Sequence, residues 1–432
     1  MIKFLLNSFF WKSVNIICSL FTGILLARNL SVSDRGEYAL FISIVSLYVV
    51  ILNLGIPESL VYRLNKEKQL KSQLIKYGFL ISTLLFFLLL MLYKVLFLFG
   101  FNILYININY AIAPFFVSLI IGSYNVLLRH LILKKNKIPL FNFLSSIETV
   151  CNLLIFYLLY LTNNFSLINI IYVFIGTISF SFIIHVFSLK SEIYLYIIEK
   201  FEFNYLLISR LFKLAIPLFL LGISGIFSSK INLFVLEYFH DYESVGYYSI
   251  AIIFPNLLLV IPSQISLLLY PVASKINDFN VLVSYGKKIL SHTLFFILIS
   301  LTLACFIIPF IIPFLYGDVY KPVISTVYII FIGVIFSGLN NVLINLLVSH
   351  GETKKLLHNS FIIIFGVFIL SFLVYWYSYV GTALTFTLLS LFCFVVNFIK
   401  YSQITNFKII SLIITKQEII IILLKLKNIF LK

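Results

Sequence analysis

The chain has 432 residues, of which 62% are hydrophobic and 11% charged, with a mean hydropathy of +1.11 and a formal net charge of +16. No soluble core needs that much apolar surface, so the composition excludes a soluble globular enzyme and points to a polytopic membrane protein. The positive charge would suggest nucleic acid in a soluble chain. Here it is expected in basic membrane-flanking loops, with no nucleic-acid partner.

The chain opens with MIKFLLNSFFWKSVNIICSLFTGILLARNL, too long for a signal-peptide apolar region and without a small-x-small cleavage site. It reads as a first, retained membrane helix. Apolar runs of about twenty residues, the length that spans hydrocarbon, then recur along the chain. Their expected limits are roughly 4–27, 38–57, 75–97, 108–130, 142–162, 167–188, 214–238, 246–268, 290–315, 323–348, 357–378 and 381–400, about twelve in all. The longest polar interruption, 189–213, divides them into an N-terminal lobe of six spans (1–188) and a C-terminal lobe of six (214–400). The tail, 401–432, is apolar with lysines at intervals and reads as an amphipathic helix on the cytoplasmic face.

With both termini cytoplasmic, all 31 Lys and Arg fall on the cytoplasmic side except Arg28, Arg35, Lys94, Lys321 and Lys230. One missed helix would scramble every later loop, so this asymmetry supports both the count and the orientation. Lys230 falls inside the seventh apolar run, where a charge is expensive and usually faces a cavity or a partner. It could instead snorkel to the interface or pair with Glu237.

The two lobes share polar positions. Lys12, Asn15, Ser19 and Thr22 lie on one face of span one, and adding 210 gives Gly222, Gly225, Ser229 and Asn232. Ser46 and Asn53 map likewise onto Asn256 and Ser263. His130 with Lys134-Lys135 matches His350 with Lys354-Lys355 at an offset of 220. An even number of spans per lobe keeps both copies in one orientation. The polar faces suit either cavity walls or helix packing.

The four cysteines, Cys18, Cys151, Cys305 and Cys393, lie in apolar runs without metal-ligand spacing, and no cofactor or metal site is expected. Walker A, HExxH, CxxC and GxSxG patterns are missing, so no ATPase or hydrolase is built in and a non-enzyme is expected. Glu148 lies about two turns into span five. It could carry a coupling proton or pair with a structural lysine. His185, near the end of span six, reads as structural.

Several short motifs now line up. They are Leu25-Leu26-Ala27-Arg28-Asn29-Leu30 leading to Gly36-Glu37-Tyr38, Asn53-Leu54-Gly55-Ile56-Pro57-Glu58, Ala215-Ile216-Pro217, Val245-Gly246-Tyr247-Tyr248, Leu315-Tyr316-Gly317, Gly351-Glu352-Thr353-Lys354 and Val380-Gly381-Thr382-Ala383. In order and spacing the chain resembles the polysaccharide or O-antigen flippases of the multidrug/oligosaccharidyl-lipid/polysaccharide (MOP) exporter superfamily over about residues 1–400. Asn232 stands where such proteins often have Asp.

The resemblance implies an all-α integral membrane fold, MATE-like, with two six-helix lobes in a V around a central cavity lined by spans one, two, seven and eight. The implied cargo is an undecaprenyl-diphosphate-linked oligosaccharide repeat unit, flipped across the bacterial inner membrane for O-antigen lipopolysaccharide or another surface polysaccharide. Membrane lipids, a polysaccharide polymerase and a chain-length regulator are the implied partners. A sugar head group needs amide and hydroxyl contacts in place of water, and Asn15, Asn53, Asn256 and Asn341 could supply them. The diphosphate needs cationic ones, for which Lys12, Arg28 and Lys230 are candidates. Lys12 could equally anchor at the interface, and Arg28 could cap the carbonyls of its own helix. The competing functions are a membrane polymerase or glycosyltransferase acting on the same lipid-linked sugars, and a drug exporter of the same superfamily.

Overall fold

The computed structural model describes residues 2–66, 71–99, 112–134, 138–190, 193, 203–226, 230–273, 278–349 and 355–405. The described residues form fourteen α-helices: α1 (Ile2–Asn29), α2 (Val32–Asn53), α3 (Ile56–Lys66), α4 (Lys71–Leu98), α5 (Ile112–Lys134), α6 (Ile138–Leu161), α7 (Leu167–Ser188), α8 (Tyr205–Ile226), α9 (Asn232–Phe239), α10 (Tyr242–Ala251), α11 (Ile253–Ala273), α12 (Phe279–Tyr316), α13 (Val323–Ser349) and α14 (Lys355–Thr405). Eleven helical stretches among them are long and apolar enough to cross a membrane. The motif Gly351–Lys354, His350, Ser229 and the tail from 406 onward lie outside the described residues.

The chain divides into two compact units, Met1–Lys230 and Ile231–Lys432. In the first, α1 packs on α6 and α5 on α7. The Trp11 ring meets Phe143 edge-on at 4.8 Å. α3 is a short amphipathic helix whose buried stripe, Ile56, Leu60 and Leu64, repeats every four residues. That stripe joins Leu127, Leu128 and Leu131 of α5 and Leu211 and Ala215 of α8 in one core.

Asn53-Leu54-Gly55-Ile56-Pro57 makes the elbow between α2 and α3. Leu54 and Gly55 both take the left-handed conformation, at φ 44° and 70°. Only glycine adopts it without a steric penalty. A second constraint falls on Gly55: a β-carbon there would run into the Ala215 carbonyl oxygen and stand 2.6 Å from the Phe219 nitrogen. Two of the motifs that carry the resemblance, Asn53–Glu58 and Ala215–Pro217, are therefore one structural contact, a loop pressed onto the backbone of α8.

In the second unit α13 is the central helix, packed by α11, α12 and α14. Its Leu339, Val342, Leu343 and Leu346 meet Leu269, Leu290, Phe394 and Phe398. Prolines set the irregularities. Pro255 has no N–H for the Ala251 carbonyl, and the helix breaks between α10 and α11 at Ile252. Pro309 likewise cannot bond the Cys305 carbonyl inside α12. There the Tyr328 hydroxyl, from α13, donates to that oxygen at 3.1 Å.

α14 is a hairpin rather than one rod. Ser378 has φ 51° and ψ −133°, outside the helical region. The Thr385 hydroxyl donates to the Leu370 carbonyl at 3.3 Å. Fifteen residues of straight helix would hold those two groups about 22 Å apart. Gly381 is required at the turn, because a β-carbon there would collide with the Leu373 carbonyl. The last apolar stretch, Phe361–Thr405, therefore contains two antiparallel helices, as the reading of 357–378 and 381–400 expects.

Other limits differ from those read off hydropathy. α12 begins at Phe279, well before the expected 290, because Asp278 caps it by accepting from the Asn280 and Val281 nitrogens at 2.8 and 3.2 Å. The run expected over 214–238 is α8, beginning already at Tyr205, followed by the separate α9.

Candidate functional site

In a membrane helix an exposed polar side chain is the informative observation, since hydrocarbon gives it no partner. α1 has two exposed faces. Phe10, Ile17 and Phe21, spaced seven and four residues apart, share one face and are each more than half exposed. Lys12 and Ser19 are exposed on the opposite face. Between them, Asn15 turns to α6 and donates to the Ser145 hydroxyl at 2.8 Å, and Ser146 donates to the Trp11 carbonyl at 2.7 Å. Arg28 is exposed but continues the Phe10–Ile17–Phe21 face, seven residues beyond Phe21. The sequence grouped Lys12, Asn15 and Arg28 together, and the structure gives them three different surroundings.

Asn53 is buried, donates to the Val49 carbonyl at 2.8 Å and lies within 3.5 Å of the Ser82 hydroxyl on α4. Its repeat equivalent, Ser263, is exposed on α11 beside Asn256 and Gln264. The opposite side of α11, Pro255, Pro262, Ser266 and Leu269, is buried. α11 thus carries an exposed polar face and a buried packing face.

Asn341 is partly buried, and its carbonyl accepts from Ser266 at 2.6 Å and from Asn345 at 3.2 Å. Asn397, fully buried on α14, donates to Asn340 Oδ1 at 2.7 Å. These amides join α11, α13 and α14, as polar groups do between membrane helices. Lys230, at the end of the first unit, is partly buried.

Glu148 has a partner, and it is an arginine rather than a lysine. Its Oε2 accepts from Arg129 of α5 and, at 3.0 Å, from the Ser181 hydroxyl of α7. Asn125 donates to Ser181 Oγ at 2.7 Å, and His185 Nδ1 lies 2.6 Å from the Ser181 carbonyl. Four polar residues from α5 and α7 thus gather around Glu148 of α6. Sequence reading singled out Glu148 and His185 and missed Arg129, Asn125 and Ser181. The signal was there: Asn125/Arg129 and Ser181/His185 are each one helical turn apart in apolar runs.

The internal repeat is visible in the packing. Burial runs residue for residue in the same order over 31–40 and 241–250. Ser31 caps α2 by accepting from the Asp34 nitrogen, and Asp241 caps α10 by accepting from the Ser244 nitrogen, the same two residue types exchanged at the offset of 210. Tyr38 and Tyr248 are both buried. Tyr248 shares a hydrogen bond with Asn232, the position equivalent to Thr22.

No curated protein matches the sequence. Solved structures match the fold. The lipid II flippase MurJ in an inward closed conformation superposes with a TM-score of 0.75 at 17% identity, over 95% of this chain and 89% of that one. An inward-facing multidrug resistance MATE family transporter of the MOP superfamily gives 0.70 at 12% identity, over 91% and 94%. A MOP superfamily transporter from Pyrococcus furiosus gives 0.64 at 13%, over 93% and 94%. At these identities the likeness establishes the fold alone, a helical multi-pass membrane fold that those transporters share. The narrower assignment comes from the sequence: the model of the polysaccharide biosynthesis protein family matches residues 6–277, and the chain belongs to that family.

Proposed function

We propose that the chain flips undecaprenyl-diphosphate-linked oligosaccharide repeat units across the bacterial inner membrane, for O-antigen or another surface polysaccharide. The observation that carries the reading is the pairing of a polysaccharide-biosynthesis sequence family with a transporter fold shared with a lipid II flippase. A polysaccharide pathway needs such a step, because a hydrated sugar head group does not cross hydrocarbon unaided.

The exposed polar faces support it. Lys12 and Ser19 on α1, and Asn256, Ser263 and Gln264 on α11, offer one cation and several neutral hydrogen-bonding groups. A cation suits an anionic diphosphate, and neutral amides and hydroxyls suit sugars. In this reading Lys12 and Lys230 meet the diphosphate and Asn256 meets sugar. Asn15, Asn53 and Asn341 hold helices together. Arg28, at the end of a lipid-facing side, meets lipid head groups. Both termini are cytoplasmic, and the partners are membrane lipids, a polymerase and a chain-length regulator.

Deleting the protein tests this. Surface polysaccharide should disappear while lipid-linked repeat units accumulate in the inner leaflet. Normal appearance of those units in the outer leaflet would sink the proposal. Units that reach the outer leaflet and stay unpolymerised would favour the polymerase reading.

A further inference from the structure

We propose that Tyr247, Tyr320, Tyr379, Glu243, Ser244 and Ser378, at one end of the second unit, form a binding site for uncharged sugar rings. That the sugar is the head group of a transported lipid rests on the flippase reading; the site itself does not.

Three turns meet here: the start of α10, the turn 317–322 between α12 and α13, and the turn of the α14 hairpin at Ser378. Gly317, at φ 100°, ends α12, and one turn of 3-10 helix, Asp318–Tyr320, follows. The Tyr247 ring meets Tyr320 edge-on with centres 6.0 Å apart, and it lies 5.4 Å from Tyr379 at 43°. The Ser378 hydroxyl donates to Ser244 Oγ at 3.0 Å and ties the hairpin to α10. The Tyr247 hydroxyl donates to Glu243 Oε1, one turn back, at 3.1 Å. Tyr320 is 1% exposed, Tyr247 and Tyr379 are half-buried, and Glu243 is exposed. Two rings and a carboxylate are thus accessible, backed by a third ring that packing holds in place.

Packing does not require a tyrosine at 247. Its repeat equivalent at the offset of 210 is Glu37, with the same partial burial. The next position is a buried tyrosine in both units, Tyr38 and Tyr248. The repeat therefore keeps the residue that packs and changes the one beside it. Glu243 likewise stands where the first unit has Ser33. Nor do these rings belong to an ordinary aromatic belt, whose members lie out in the membrane interface. Tyr238, Tyr375, Trp376 and Tyr377, each more than half exposed, are placed that way. Tyr247, Tyr320 and Tyr379 turn to one another instead.

A sugar ring has an apolar C–H face and a rim of hydroxyls. The C–H face stacks on the electron-rich face of an aromatic ring, and the hydroxyls donate to a carboxylate. Tyr247, Tyr379 and Glu243 supply both contacts. Charge narrows the occupant further. In a chain of net charge +16, Asp241, Glu243 and Asp318 stand at this end against Lys321, which is paired with Asp318 at 2.9 Å. A surplus of carboxylates repels a diphosphate or an anionic lipid head group. The site suits the sugar part of the cargo and not its diphosphate.

The probe is the oligosaccharide released by mild acid from the host cell's lipid-linked repeat units, offered to the full chain in nanodiscs. In magnetic resonance, saturation of the protein's aromatic protons should transfer to the sugar C–H protons and rise to a plateau with sugar concentration. Tyr247→Phe keeps the ring and should keep most of the binding. Tyr247→Glu copies the first unit and so spares the fold; it should weaken binding about tenfold or more, as should Tyr247→Ala. Glu243→Gln should weaken it roughly 3- to 10-fold with the rings intact. No transfer in the wild type, or equal binding by Tyr247→Glu at matched folded protein, overturns the site. Competition by inorganic diphosphate would assign the cluster to an anion and overturn the sugar reading as well. If Tyr247→Glu loses the sugar but deletion of the protein leaves lipid-linked units appearing normally in the outer leaflet, the flippase reading fails and the site stands. If deletion traps those units in the inner leaflet while Tyr247→Glu binds like the wild type, the site fails and the flippase reading stands.

Discussion

Replacing Gly55 with alanine isolates the contact between two family motifs. The residue has φ 70°, where an L side chain costs about 1–2 kcal/mol. The new β-carbon meets the backbone of α8 at Ala215 and Phe219, and backbone yields less readily than a side chain. Overpacking of that kind costs about 1–3 kcal/mol. The sum, about 2–5 kcal/mol, falls on the first unit. Gly222→Ala is the internal control: its β-carbon would meet only Val50 Cγ1 at 3.7 Å, an ordinary contact. It should be neutral or stabilising by roughly 0.5–1 kcal/mol, as alanine replaces glycine inside a helix. Unfolding can be followed by the reactivity of the partly buried Cys18 and Cys151 toward a thiol dye in detergent. At about 2–4 °C per kcal/mol for a unit of this size, Gly55→Ala should lower the midpoint by roughly 4–20 °C. If Gly55→Ala and Gly222→Ala unfold together at the wild-type temperature, the elbow does not press on α8 as described.

Tyr328→Phe should cost about 1–3 kcal/mol in the same assay, because the Cys305 carbonyl opposite Pro309 loses its donor. Asp241→Ala should cost on the order of 1 kcal/mol by uncapping α10. The Ser244 backbone N–H bonded to Asp241 holds its carboxyl below the usual carboxylate range. A depressed value means the cap's pH-dependent contribution is present at neutral pH and lost as pH falls through the folded value; the deficits of Asp241→Ala and Asp241→Asn against the parent should therefore shrink in parallel in acid, since neither replacement titrates. Single cysteines at the exposed positions Ser33 and Val319, in a cysteine-free background, should react with an impermeant reagent in intact spheroplasts, and one at Ser209 should not. Labelling at Ser209 alone would reverse the orientation.

Much of the fold was legible because hydropathy is a sum over many residues and survives local error. The turn at Ser378 falls where two expected spans were divided, and Gly381 explains why the break sits there. Helix ends were less legible. α12 starts early because a single capping aspartate extends it, an effect that a twenty-residue average hides. The chemistry of polar residues was the least legible. Asn15 and Lys12 share a helix face in projection, but which one meets a neighbour depends on where α6 lies. Arg129 read as one more basic residue near the end of a span, and only the packing of α5, α6 and α7 makes it the partner of Glu148.

That difference between projection and packing separates the three candidate cations by experiment. Lys12 is exposed beside Ser19, opposite the apolar face of α1. Arg28 lies on the apolar face itself, at the far end from Phe10. If the diphosphate is held by the polar side of α1, Lys12→Gln removes a charge-assisted contact of about 1.5–3 kcal/mol. That corresponds to roughly a 10- to 150-fold loss of cargo affinity. Lys12→Arg should keep most of it, since the charge remains. Lys230→Gln should behave like Lys12→Gln, and Lys230→Glu should be worse because it repels the diphosphate. Arg28→Gln should leave cargo affinity unchanged, since Arg28 continues the exposed apolar face of α1. Affinity for a purified lipid-linked diphosphate sugar in nanodiscs reads all five, at matched folded protein. A large loss in Arg28→Gln with none in Lys12→Gln would mean that the cargo approaches along the apolar face, and the polar side of α1 would then be a packing surface.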